Sequence, residues 1–538
     1  MTWRKFLRER PDWLWLALLG LALQAVWAWR LQHPSYFDAY YYATNGQRLA
    51  DGYGFTEQII WQFLDDPQGL PTPSHTYWMP LPSLLAAAGY KLWPSFRGMQ
   101  LPFWLLAGLL PLLAFGISWR LSGTRWQAWT AALFTASGGF YNTFWSQPST
   151  FAPIAWLGGG CLWALGTAVT HNQRRHWFLA GLLAGLAHLT RADGVLFLLV
   201  GVWVWLVNVW ARRRGDDGNS VASQFPPPSR PYNATLHSPR STLHTPLSLL
   251  LGYLLIMSPW FWHNWQLLGR LLPTSGTQTI FLTTYDDLFA YGRSFTLSSY
   301  LAWGWNNILW SKLVALGEAG QLFGAVACLI FLTPLVVWGW WGVRKRPFPH
   351  PFTWYTLTLF AVMVLLFTFP AGRGSLLHSS AAIWPWLMAL AAAGLGFATD
   401  WRTARWPHPN PEQMKRIYAG MFVAVALVMT AVIGWLRTPE RDYVALFEQV
   451  AAMVPETAVV MVGNAPGFYY HTGLSAITIP NEPPDVLLAV AQRYGATHLL
   501  LDKDTPLPLR GLYQGDEAAA GFELVASFEM VNLYRVGD

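Results

Sequence analysis

The sequence predicts a polytopic α-helical membrane protein of about eleven spans that ends in a small soluble α/β domain, and three observations lead there. Charged residues make up 12% of the 538-residue chain and 53% is hydrophobic, whereas a soluble domain carries roughly 25% charge. Apolar runs long enough to cross a bilayer recur along most of the length. Beyond about residue 440 the composition turns acidic, and β-rich runs alternate with helical patterns. A soluble multidomain protein is excluded. Aromatic residues reach 16%, in keeping with the Trp and Tyr belts that sit where membrane meets water. The net charge of +7 comes from short basic clusters beside apolar runs, so it speaks for topology and against a nucleic-acid partner. Cys161 and Cys328 both lie in apolar runs, which leaves neither a disulfide framework nor a C-x-x-C metal or redox site.

Taken in order, the first apolar run, Trp13 to Trp29, follows Arg4, Lys5, Arg8 and Arg10 without a small-residue cleavage site, and so predicts a retained first span. Further spans are expected near 101–119, 126–145, 151–170, 246–266, 319–342, 353–369, 377–398 and 416–436. Segment 177–210 holds two apolar stretches divided by Thr190, Arg191, Ala192 and Asp193, and basic clusters flank it at Arg174/Arg175 and Arg212 to Arg214. It reads as a helical hairpin whose turn carries Arg191 to the opposite side. Pro80, Pro82, Lys91 and Pro94 mark 80–94 as a broken or re-entrant segment that does not cross. On that condition parity places Arg120/Arg125, Arg174/Arg175, Arg212 to Arg214, Arg344 to Arg346 and Lys415/Arg416 all in the cytoplasm. The N-terminus is then cytoplasmic and the C-terminus outside, with the cell membrane as the expected location.

Residues 215–245, rich in Ser, Pro and His, predict a disordered cytoplasmic loop. The Asn233-Ala234-Thr235 sequon there lies on the wrong face for glycosylation. The expected outer stretches are 31–79, 267–318 and the tail, which divides the chain into a membrane module, 1–439, and an extracytoplasmic α/β domain, 440–538. Strands are expected at Val459 to Val462, Ala476 to Ile479, His498 to Leu501 and Phe522 to Phe528, with helices at 442–453 and 484–494. Gly463-Asn464-Ala465-Pro466-Gly467 lacks dinucleotide spacing and reads as a strand-to-helix turn.

The first outer loop opens Ser35-Tyr36-Phe37-Asp38-Ala39-Tyr40-Tyr41-Tyr42-Ala43 and passes through Leu49-Ala50-Asp51-Gly52-Tyr53-Gly54 to Pro73-Ser74-His75-Thr76-Tyr77-Trp78-Met79-Pro80. An acid just after the first span, a helical segment, then a His-containing, Pro-rich lead into the next apolar stretch resembles GT-C membrane glycosyltransferases. These are the relatives of protein O-mannosyltransferases, aminoarabinose transferases and oligosaccharyltransferases. The resemblance continues in Gly185 to Gly194, in Ser258-Pro259-Trp260-Phe261-Trp262-His263-Asn264 and in the outer tail. It implies transfer of a hexosyl or pentosyl unit from a polyprenyl-phosphate donor to a lipid, glycan or protein acceptor on the outer face. A single base with no evident nucleophile favours inversion.

Asp38 has two readings, which are compatible: general base for an acceptor hydroxyl, or cap of a helix starting at Ala39. A departing lipid phosphate needs a cation. Arg373, between Gly372 and Gly374, with His378 nearby, and Arg191 are the candidates. Their plainer readings are headgroup snorkelling for Arg373 and a structural pair with Asp193 for Arg191. His75 either orients a substrate oxygen or is structural. Tyr41, Tyr42 and Trp78 read as an interface belt or a sugar-stacking wall. The loop Phe140 to Thr150 has no acid, where many relatives place a second one. A metal site is therefore not favoured, since hard cations want several anionic oxygens, and no cofactor is expected. The competing classes are a transporter or flippase, which usually shows internal repeats and broken helices, and a noncatalytic scaffold.

Overall fold

The computed structural model describes residues 12–213, 240–273, 275–371, 374–437, 442–515, 519–528 and 531–537. The N-terminal basic residues, most of the 215–245 loop with its sequon, and Arg373 lie outside these residues. Among those described, seven helices are at least 18 residues long and apolar enough to cross a membrane: Asp12–Arg30, Phe96–Ser122, Phe151–His171, Ala192–Trp210, His244–Leu268, Ser375–Arg405 and Pro411–Leu436. The other four expected spans are present as shorter or interrupted helices.

Arg174–Thr190 and Val195–Arg213 form the expected hairpin, with Arg191 and the short 3-10 turn Ala192–Gly194 between them. Leu81–Leu92 has 12 residues and extends only about 18 Å, too little to cross. The expected span 126–145 is cut short at Ser137 by Gly138 at φ 79°, after which only single turns follow. The expected span 319–342 is corrected more deeply. Its helix starts at Trp305, inside the stretch assigned to an outer loop, runs to Gln321, continues as a π-helix over Leu322–Ala327, and breaks before Thr333–Val343. Leu329 and Ile330 in the break take φ values of 50° and 59°, and Pro334 holds the first turn of the resuming helix.

Trp384–Arg405 lies at the centre of the bundle, buried from Trp384 through Gly396. Its small residues allow this: a Cβ on Gly394 would strike the backbone of Leu335, and one on Gly339 would strike Leu390, so these helices touch backbone to backbone. Gly181 and Gly252 make a second such crossing between Arg174–Thr190 and Arg240–Leu268. The peripheral helix Pro411–Leu436 instead exposes Ile417, Met421, Val425, Val428 and Val432, as a lipid-facing surface does.

The basic clusters converge on one end of the bundle. Arg120 reaches His171 at 2.8 Å, Arg346 donates to Leu121 O, Arg125 donates to Asp12 at 2.9 Å, and Lys415 pairs with Asp400 at 3.0 Å. The opposite end carries the long loops and a six-stranded sheet in the order Ile59–Ile60, Ala476–Thr478, Val460–Val462, His498–Asp502, Val531–Val536, Phe522–Ser527. The first four strands run parallel and the last two antiparallel to their neighbours. All four expected strands are present, within a residue or two at each end. Ile59–Ile60 and Val531–Val536 were not anticipated. The sheet after residue 440 therefore takes an edge strand from the loop that follows the first span. Tyr41, Tyr42, Ile59 and Trp61 of that loop share one apolar core with Leu282, Leu288, Phe447, Val450, Val460, Phe468 and Leu533.

Candidate active site

Asp38 lies in the first turn of Phe37–Ala50, whose N-cap is Tyr36 with an extended backbone and no side-chain cap bond. The helix thus starts two residues before Ala39, and Asp38 is not its cap. Its carboxylate sits near the positive end of the helix dipole and remains 22% exposed. Burial pushes its pKa up to about 6, against the pull of Arg191. A carboxylate tuned this way titrates near neutrality, where a general base works best.

The structure brings three of the sequence candidates together here. His378, in the short helix Ser375–Ser379, places Nε2 3.8 Å from Asp38 Oδ2. Its Nδ1 lies 2.9 Å from Thr150 Oγ1, and its ring stacks on Phe151 with centroids 4.3 Å apart. Arg191 sits at the hairpin turn with its side chain 10% exposed. Its Nε donates to Asp193 at 3.1 Å and to Ser379 Oγ at 3.1 Å, while its terminal nitrogens make only long contacts of 3.4 Å to Thr150 Oγ1 and Ser375 O. The pair with Asp193 is real, and the guanidinium fork is still lightly engaged, the state in which it can take a phosphate.

Other candidates are placed elsewhere. His75 is 1% exposed, with Nδ1 2.8 Å from Ser74 Oγ and Nε2 3.0 Å from Ser83 Oγ. Both ring nitrogens are occupied, and burial holds its pKa down to about 3. In this structure it is a buried node inside the loop, joined to Ser74 and Ser83. Tyr41 and Tyr42 are likewise buried, at 0% and 1% exposure, and Tyr41 Oη accepts the His75 backbone N–H at 2.8 Å. Trp78 stacks on Trp61 with centroids 4.0 Å apart. Tyr41 and Tyr42 belong to the buried core that this loop shares with the C-terminal sheet, and Trp78 packs against it partly buried. Asp286 and Asp287, adjacent acids of the 267–318 stretch, begin the short helix Tyr285–Phe289, where Asp287 accepts from the Thr283 and Thr284 backbone N–H groups at 3.0 and 2.9 Å.

The acid-free loop is held by neutral groups. Gln147 is fully buried, donates to Thr143 O at 2.8 Å and accepts the Ser35 backbone N–H at 3.0 Å. Among the described residues no group of three or more His, Cys, Asp or Glu could hold a metal ion. One carboxylate faced by a guanidinium is a poor donor set for Mg²⁺ or Mn²⁺.

A cavity of about 1050 Å³ opens beside this cluster, between the helix ends and the C-terminal sheet. Trp27, Phe140, Phe144 and Val326 give it an apolar floor, Arg30 and Arg437 line it from helix ends, and Asn464 and Asp502 line it from the sheet. Tyr36, two residues before Asp38, and Leu377, beside His378, also line it. The sequence reading passed over Thr150, whose only signal was a hydroxyl in a loop lacking the expected acid.

A helical membrane bundle joined to an α/β sheet unit is the architecture of the GT-C fold, and comparison with solved structures shows that this chain has that fold. The oligosaccharyltransferase AglB of Archaeoglobus fulgidus, solved with an inhibitory peptide and a dolichol-phosphate, aligns at TM-score 0.55 and 12% identity over 96% of this chain and 71% of that one. ArnT of Cupriavidus metallidurans, solved bound to undecaprenyl phosphate, aligns at TM-score 0.54 and 16% identity over 97% and 98%. No protein-family model and no curated protein matches the sequence.

Proposed function

We propose that the protein is an integral membrane glycosyltransferase that moves a sugar from a polyprenyl-phosphate donor to an acceptor on the extracytoplasmic face. The observation that carries the reading is the meeting of Asp38, Arg191 and His378 at the end of the bundle away from the basic clusters. Two neighbours of the same fold were solved with dolichol-phosphate and undecaprenyl phosphate, which supports a lipid of that chemistry here. In the proposed step Asp38 takes the proton of an acceptor hydroxyl as its oxygen bonds to sugar C1. The bond from C1 to the phosphate oxygen breaks with inversion, and the departing polyprenyl phosphate keeps the electron pair. Arg191 meets the charge that grows on that phosphate. The acceptor enters through the 1050 Å³ cavity, and no metal takes part.

Parity of the basic loops places the N-terminus in the cytoplasm and the sheet outside. Cys161 and Cys328 are buried, so labelling of introduced cysteines reads cleanly. Gln514→Cys should react from the outside and Gln173→Cys only from within; the opposite pattern overturns the orientation.

The interrupted helix at 322–332 favours a second reading, a lipid transporter, because such breaks recur in that class. Purified protein in nanodiscs, incubated with a panel of polyprenyl-phosphate sugars, separates the two. A glycosyltransferase consumes one of them and releases polyprenyl phosphate. Translocation of labelled lipid in vesicles without consumption supports the transporter and sinks the enzyme.

A further inference from the structure

Thr150 is 1% exposed, and its hydroxyl has two partners among the described residues. Arg191 NH1 donates to its oxygen at 3.4 Å, and His378 Nδ1 lies 2.9 Å away. A guanidinium only donates, so the Thr150 proton has no acceptor in this pair of contacts except His378 Nδ1. A buried hydroxyl proton is expected to find a partner. The neutral imidazole then carries its proton on Nε2, the nitrogen 3.8 Å from Asp38 Oδ2. The stacking of His378 on Phe151 keeps the ring in that orientation.

We propose that Thr150 and His378 are positioning residues for the catalytic carboxylate: Thr150 sets the His378 tautomer, so that Nε2–H and not a ring lone pair faces Asp38 Oδ2 across 3.8 Å. The chain of contacts runs from the residue that meets the donor phosphate to the residue that activates the acceptor, so both ends of the reaction share one hydroxyl. It also excludes His378 as the resting proton acceptor from Asp38, because Nε2 is already protonated. Among the described residues, the charged and titratable groups facing this pair are Arg191 and Asp193 from the hairpin turn, Tyr36 and Tyr42 from the first loop and its helix, and Tyr77 from the approach to Leu81–Leu92. None of the tyrosines titrates near neutrality, and Asp38 is the group whose protonation the acidic limb reports.

The inference rests on Asp38 being the base, but its first test needs no substrate. Histidine labelled with ¹⁵N and ¹³C in nanodisc-embedded full-length protein reports the tautomer, and a His378→Asn sample assigns the signal. We expect Nε2–H in the wild type, loss of that preference in the near-isosteric Thr150→Val, and its return in Thr150→Ser. An Nδ1–H wild-type ring, or a Thr150→Val ring unchanged from wild type, overturns the proposal. On an active donor, Thr150→Val should move the acidic limb of the turnover profile up by about one pH unit, because a ring lone pair would then face the carboxylate. KM for the donor should stay within about twofold, and Thr150→Ser should restore the limb. A uniform loss of turnover with no shift of the limb marks a merely structural Thr150. Failure of every donor, with the tautomer as expected, removes the glycosyltransferase reading while leaving the hydrogen-bond chain in place.

Discussion

Two acids of the stretch after the first span, the part-buried Asp38 and the buried Glu57, are treated in opposite ways. Glu57 is 5% exposed and receives the Asn45 amide on Oε2 at 3.1 Å, and burial drives its pKa well above the usual carboxylate range. Its surroundings are mostly neutral hydrogen-bonding groups, which favours the protonated form, and it serves as a polar strut between the helix Phe37–Ala50 and the strand Thr56–Glu57. Asp38 is also desolvated, yet Arg191 opposes that effect and holds it near 6. A facing cation and partial exposure make the difference between a strut and a base.

Substitutions can break or sharpen this contrast. The largest effect is expected from Arg191→Ala, which removes the phosphate counter-charge and leaves Asp193 without its partner. Turnover should vanish, and the melting temperature should fall by an amount equivalent to roughly 3 kcal/mol, the usual consequence of stripping one member of a buried pair. If Arg191→Ala turns over normally, the phosphate assignment fails. Asp38→Asn keeps shape and removes the proton acceptor, so the rate should drop by about 10²-fold or more with donor affinity largely retained. Normal turnover in that variant would remove Asp38 as the base.

The pH dependence of the two sites should differ as well. Wild-type activity should fall as pH drops through about 6, where Asp38 takes up its proton. Stability runs the other way. A carboxyl whose folded pKa is raised favours the fold when protonated, so that contribution is present at low pH and is lost as pH rises from about 4 toward 6. Asp38→Asn should therefore melt higher than wild type at pH 7, with the gap closing below about pH 4; thermal melts across that range check it. Glu57→Gln replaces a neutral acid by a neutral amide, and stability should change by less than about 1 kcal/mol with turnover intact. A large loss in Glu57→Gln would mean that this site is ionised and that the contrast is false. The smallest expected effect is none: chelator treatment should leave turnover unchanged, and activity restored by Mn²⁺ or Mg²⁺ would reveal a metal site.

Much of the fold was legible in the sequence because a membrane imposes a length on apolar runs. The hairpin around Arg191, the position of Asp38 after the first span and the acidic tail with its strands could all be read from residue type and spacing. What could not be read depends on partners distant in sequence. His75 resembles a ligand until Ser74 and Ser83 take both of its nitrogens. Tyr41 and Tyr42 look like a surface belt until the C-terminal region closes over them. The strand Ile59–Ile60 is too short to show a period, and the helix break at 328–332 lies in an apolar run whose one warning was Pro334. Gln147 ties the acid-free loop to Ser35 by hydrogen bonding, a role that composition cannot distinguish from filler.

The strand lent by the first loop has a consequence for how the chain is made. Ile59–Ile60 leaves the ribosome some four hundred residues before Ala476–Thr478, its partner in the sheet. Through that interval Tyr41, Tyr42 and Trp61 have no C-terminal core to join. The loop bearing Asp38 thus reaches its final shape only when the last part of the polypeptide arrives, and a chain truncated before residue 476 carries its carboxylate on an unfinished scaffold.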